Sequence, residues 1–192
     1  MTHLRFTFRF QKALEASAFI LRLAGGQMGY IDLLKMLYIA DRECLAVEGD
    51  TITGDSVKAR KRGPVLRTIF NLIQKNDSQS ERWHSFIGAR FNHNMKQLEV
   101  FIKESPGDGD LYQFEKEILL RVFEEHKDKD LVSYTHTFPE WRKYESILNS
   151  ANKSQCSITI EDMLEGIGKP ELIDIVKENI AAEKFHSKLF RR

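Results

Sequence analysis

Cysteine, membrane-length apolar runs and net charge are all scarce in this chain, and each scarcity removes a class of function. Only two of the 192 residues are cysteines, Cys44 and Cys156. Two distant thiols build neither a disulfide framework nor a zinc site, and they fit a reducing cytoplasm. No stretch of about 18 apolar residues exists, so no membrane span is expected. Residues 1–26 are not expected to be a signal peptide. Arg9, Lys12, Glu15 and Arg22 interrupt their apolar positions, and no small-residue cleavage pattern follows. The chain carries 29 Lys and Arg against 28 Asp and Glu, a formal charge of +1. There is thus no global pull towards nucleic acid or anionic lipid.

Reactive motifs are missing too. His84, His93, His126 and His136 lack the close spacing of metal ligands. Ser56 and Ser133 lack the tight turn and nearby base of an activated nucleophile. Gly63-Pro64 has neither the repeated glycines nor the Gly-Lys-Ser/Thr end of a phosphate loop. No catalytic, metal or cofactor residue is therefore expected.

What is present reads as a mainly helical protein with one small antiparallel hairpin. Residues 4–9 alternate Leu4, Phe6 and Phe8 with Arg5, Thr7 and Arg9, which predicts a short strand or an extended arm. Apolar stripes predict helices over 10–24 and 31–47, separated by a turn at 27–29. Pro64 predicts the start of a third helix, because its missing N–H would be unpaired in a first turn anyway. Residues 83–91 and 98–102 read as strands joined by a turn at Asn92-His93-Asn94. A helix is expected over 111–126, with Asp110 as its cap and Phe114, Ile118, Leu119, Val122 and Phe123 inward. Shorter helices follow at 130–137 and 139–148. The polar run 149–156 reads as a linker. Thr159 and Asp162 form a capping pair for a helix to about 166, and a last helix runs to about 190. Its apolar face is Leu172, Ile175, Val176 and Ile180. The division so read is a domain over 1–149 and a C-terminal helical appendage over 150–192.

The stretch 33–65 organises the rest. On its helix Asp41 has Leu37, Tyr38, Cys44 and Leu45 three and four positions away. A carboxylate among such neighbours faces the interior, where it needs a partner. His136 is the best candidate for that partner. A basic run follows: Lys58, Arg60, Lys61, Arg62 and Arg67, with no acid between 58 and 67. Residues 108–130 carry eight acids against four Lys and Arg. No aromatic interleaving or helix-turn-helix spacing accompanies the basic run, so a solvated face or an acidic protein partner is the better reading than nucleic acid.

The run Lys35-Met36-Leu37-Tyr38-Ile39-Ala40-Asp41-Arg42, then Gly49, Ala59 and Gly63-Pro64-Val65, resembles the signature of the Panacea domain. This is the SocA-like antitoxin domain of bacterial and phage toxin–antitoxin pairs. Thr135-His136 and Pro139-Glu140-Trp141 are similar to its closing motif, and the resemblance spans roughly residues 8 to 148. Lys61 and Arg62 depart from the less basic, often aromatic approach to Gly63 usual in that family. The resemblance implies a cytoplasmic antitoxin of a type II-like pair, which neutralises a cognate toxin protein by stoichiometric binding. Its motif residues here are Lys35, Tyr38, Asp41, Gly63, Pro64, His136 and Trp141. The segment 49–67, long and charged, is the expected contact surface, with Lys58, Lys61 and Arg62 the candidate contacts. A homodimer and a protease or chaperone link are compatible with this. The alternatives are an autoregulator that binds nucleic acid through the basic run, and an enzyme that uses Asp41 and His136.

Overall fold

A computed structural model describes residues 4–94, 96–150 and 153–189. The arm 4–9 is irregular and leads into helix α1 (Phe10–Leu23). The Gly25-Gly26 pair ends α1. Both adopt positive φ, Gly26 N–H donates to the Leu21 carbonyl at 2.8 Å, and Gly25 N–H donates to that of Arg22 at 3.2 Å. Helix α2 (Tyr30–Glu48) follows and stops at Gly49, whose φ of 65° and N–H bond to the Leu45 carbonyl close the last turn. Ile31, Leu33, Leu34, Met36, Leu37, Tyr38, Ile39 and Ala40 are all buried, so α2 has no solvent stripe over this span. It packs on α1 and, further along the chain, on α5 (Gln113–His126), α6 (Leu131–Thr135) and α8 (Ile160–Ile167).

The strand content exceeds the single hairpin expected, because two three-stranded antiparallel sheets form. In the first, β5 (Gln97–Ile102) lies between β4 (Ile87–Asn92) and β1 (Gln27–Gly29). The expected turn at 27–29 is thus an edge strand, held by Phe101, Val100 and Glu99. The expected strand 83–91 is split. Residues Ser80–Phe86 form helix α4, in which Ser80 and Trp83 bury together at an i, i+3 spacing, and only the remainder is strand. In the second sheet β2 (Val57–Arg60) is central, flanked by β3 (Gly63–Leu66) and β6 (Cys156–Ile158).

Pro64 therefore sits in a strand and not at a helix start. It lies opposite Ala59 on an edge strand, the place in a sheet that tolerates a missing N–H. Helix α3 (Arg67–Ile73) begins three residues later. Its first turn is capped from a distance by Asp55, whose carboxylate accepts the N–H groups of Thr68 at 3.0 Å and Ile69 at 2.9 Å. Phe114 does not face inward as expected. Helix α5 starts at Gln113, Leu111 takes the buried position, and Phe114 stacks outward on Tyr112 with ring centroids 5.9 Å apart. Asp110 does not cap α5. Its N–H donates to Glu15, and Glu115 accepts the N–H of Tyr112 instead.

Helix α7 (Pro139–Ser150) extends into the region read as a linker, part of which (151 and 152) lies outside the described residues. Beyond it, β6 pairs with β2 from Val57↔Ile158 to Ala59↔Cys156. Thr159 and Asp162 cap α8 as their spacing predicts. The last helix, α9 (Ile173–Leu189), buries Val176 and Ile180, whereas Ile175 is half exposed. The expected end of that helix at 190 lies outside the described residues. Leu164 on α8 is fully buried in the core. Leu164→Ala is expected to cost about 2–5 kcal/mol. Denaturant unfolding should show one transition moved to lower denaturant, and a wild-type midpoint would mean that α8 unfolds separately.

Candidate functional site

Lys35 and Tyr38, then Asp41 and Arg42 three and four residues beyond Tyr38, lie near one face of α2, so they form a polar line along its largely buried middle. Their partners all lie outside α2. Lys35 is 1% exposed, and its Nζ donates to the Pro64 carbonyl at 2.6 Å. The Tyr38 hydroxyl and Arg42 Nε both donate to Glu140 Oε1 at 2.7 Å. Arg42 also lies over the Phe138 ring and donates to the Gly166 carbonyl. Asp41 is buried and accepts the Thr53 N–H at 3.0 Å and the Thr53 hydroxyl.

The expectation that Asp41 is buried and hydrogen-bonded is met, but His136 is not its partner. The His136 ring stacks on Trp141, with centroids 3.9 Å apart and planes 7° from parallel. Trp141 in turn donates from Nε1 to the Arg60 carbonyl at 3.0 Å. This pair closes α7 onto the β2–β3 hairpin. Asp41 and His136 thus serve separate contacts. Thr53 and Glu140, which complete the network, were not singled out as partners from the sequence. Glu140 lies within Pro139-Glu140-Trp141, and an acid in the first turn of a helix is the signal in the sequence that points to it.

Gly63 shows why the hairpin needs a glycine. Its φ is 94°, and a Cβ there would lie 2.5 Å from Lys35 Nζ and 2.8 Å from Thr135 Oγ1. The turn Arg60-Lys61-Arg62-Gly63 therefore brings the chain down onto the buried ammonium. Burial, reinforced by nearby Arg62, lowers the Lys35 pKa from 10.5 to about 7. Burial raises that of Asp41 from 3.8 to about 7, against the opposing bonds from Thr53. His136 is lowered, first by burial and then by Lys35.

Lys61 and Arg62 are exposed at the hairpin tip, and Lys58 is half-buried on the outer face of β2, where it donates to Ser157 at 2.6 Å. The tip borders a hollow of about 300 Å³ lined by Tyr30, Ile31, Leu34, Val65 and Phe70. Arg60 lies over the Phe70 ring. Residues 51–54, within the segment 49–67 expected as the contact surface, are buried. Thr53 and Ile52 turn inward to meet the core and Asp41, which leaves Lys61 and Arg62 at the hairpin tip and Arg67 at the start of α3 as the exposed residues of 49–67.

Gly63→Ala combines an unfavourable φ with a clash against Lys35, and about 2 kcal/mol or more of stability should be lost, as read from urea unfolding. The buried pair makes stability depend on pH in two directions. Folded Asp41 holds its proton up to about pH 7, so its contribution is full below pH 3.8 and is lost as pH rises to about 7. Folded Lys35 releases its proton at about 7, so its contribution is full above pH 10.5 and is lost as pH falls to about 7. Asp41→Asn should flatten the acid-side slope and Lys35→Met the alkaline one. Unchanged slopes in unfolding curves taken from pH 4 to 10 would contradict this.

The family model described as antitoxin SocA-like, Panacea domain matches residues 33–142. No curated protein and no solved structure is matched. The matched segment begins inside α2 and ends one residue after Trp141, so it contains the polar line of α2, the hairpin and the His136–Trp141 stack. Residues 143–192, with β6, α8 and α9, lie outside it. The match extends over more than half of the sequence, and the chain belongs to the antitoxin SocA-like, Panacea domain family.

Proposed function

We propose that this chain is an antitoxin that neutralises a cognate toxin protein by direct, stoichiometric binding, without turnover. The family supports the antitoxin role. The observation that supports direct binding is the state of the basic charge around β2 and β3. Arg5, Lys58, Arg60, Lys61, Arg62 and Arg67 form no ion pair within 4 Å among the described residues. Lys61 and Arg62 stand beside the apolar hollow of Tyr30, Ile31, Leu34, Val65 and Phe70. An apolar pocket rimmed by unpaired cations suits a partner segment that presents one apolar anchor among acidic residues. A complementary patch of about 800 Å² per partner is enough to cover a toxin's active surface.

Asp41 and His136, the pair an enzymatic reading would need, are engaged with Thr53 and Trp141. That engagement supports binding over catalysis. Among the described residues no helix is long and apolar enough to cross a membrane.

Reversing the charge of Lys58, Lys61 and Arg62 together should weaken neutralisation of the toxin in a purified assay, and added salt should weaken the wild-type interaction in the same direction. Neutralisation should saturate near one antitoxin per toxin. Complete silencing by a trace amount would indicate catalysis, and full rescue by the triple variant would place the interface elsewhere. A salt-dependent gel shift on the chain's own promoter, lost in the triple variant, would instead support nucleic-acid binding by the same face.

A further inference from the structure

A second concave site lies further along β2 from the hairpin tip. A cavity of about 160 Å³ opens between the N-terminal arm, β2 and the β6–α8 junction. Three cations from three elements line it: Arg5 of the arm, Lys58 of β2, and Arg67 at the start of α3. Their charges are left uncompensated, since none of the three has an ion pair within 4 Å among the described residues. The crowding registers on Lys58, whose pKa is lowered by burial and then by Arg67 and Arg5.

Two carboxyl groups also line the cavity, but both are engaged from the protein side. Asp41 is bonded by Thr53. Asp55 accepts the N–H groups of Ser56, Thr68 and Ile69. Burial raises the pKa of each. Neither pairs with the cations. The remaining polar lining includes the hydroxyls of Ser56 and Ser157, the latter already bonded to Lys58 Nζ.

We propose that this cavity binds an oxyanion, a phosphoryl group carried by free phosphate or by a small phosphorylated metabolite. Two guanidinium groups and an ammonium offer many N–H donors to a tetrahedral anion. The size fits as well, because a cavity of about 150 Å³ encloses a group no larger than benzene. A phosphoryl group would be enclosed, and anything attached to it would project outward. This site is read from the chain alone and stands or falls independently of toxin binding.

The test is a titration of the full chain with sodium phosphate, followed by amide proton–nitrogen shifts at constant ionic strength held with sodium chloride. Saturable shifts are expected at Ser56, Lys58 and Ser157. Loss of two charge-assisted bonds in the Arg5→Ala/Arg67→Ala double variant should weaken binding by at least about tenfold. Amides remote from the cavity report whether that variant is folded, and Lys58→Met serves as a second, independent variant that should also weaken binding. Shifts that grow linearly and match those of chloride alone would overturn the proposal. So would wild-type affinity in both variants. A parallel titration with glycerol 3-phosphate separates the sources: tighter binding than phosphate assigns the site to an organic monoester, and equal or weaker binding assigns it to the free ion.

Discussion

Helix α2 is buried over most of its length while carrying Lys35, Tyr38 and Asp41 in the buried part and Arg42 beside them. Buried polar groups are tolerated only when they are bonded, and leaving one partner behind costs more than the bond itself contributes. The fold therefore has to deliver an acceptor for Lys35, another for Tyr38 and Arg42, and donors for Asp41. It delivers them from Pro64, Glu140 and Thr53, segments separated from α2 and from one another in sequence. The β2–β3 hairpin, α7 and the 49–56 segment are thus each positioned by a specific polar contact as well as by apolar packing.

This arrangement also explains why short motifs occur in widely separated parts of the chain. Gly63 is needed because the hairpin descends onto Lys35 with no room for a Cβ. Glu140 is needed because a single carboxylate oxygen receives both Tyr38 and Arg42. Gly166 lies so close to Glu140 Oε2 that a side chain there would collide with it, so α8 also depends on this contact. Trp141 fastens the same region to the hairpin backbone through the Arg60 carbonyl. The network joins elements that hydrophobic burial alone would leave free to slide.

Much of the helical frame was legible because its signals are local. The apolar periods of α1, α2 and α5, the Gly25-Gly26 stop and the Thr159–Asp162 cap act within a few residues of their effect. Pro64 was misread because its helix-start preference is also local, whereas its actual place follows from pairing with Ala59. The true cap of α3, Asp55, acts across 13 residues and carries no spacing rule. Strands β1 and β6 are three residues each, too short for an alternation to show, and they exist through pairing with β5 and β2. The burial of Asp41 could be read from its neighbours on the helix. Its partner could not, since any donor elsewhere in the chain meets the same need and only the tertiary path selects Thr53.

The distribution of ion pairs separates the two charged regions of the chain. The acids of segment 108–130 are compensated in part, because helical spacing and nearby elements supply partners: Lys116 to Asp108, Lys127 to Glu124, and Lys12 to Glu115. The basic run lies instead on a hairpin and the strand behind it. Alternation sends Val57 and Ala59 inward and places Lys58 and Arg60 on the outer face. The strands beside it supply no acid: Ser157 is opposite Lys58 on β6, and Val65 is opposite it on β3. A sheet face of this composition cannot neutralise itself by changing rotamers. Its charge must be balanced by solvent ions or by a bound anion, and the apolar hollow next to it is a surface that water solvates poorly. In the binding mode proposed above, the combination of charge that water screens and apolar area that water leaves would favour an acidic, apolar-tipped partner over a simple counter-ion.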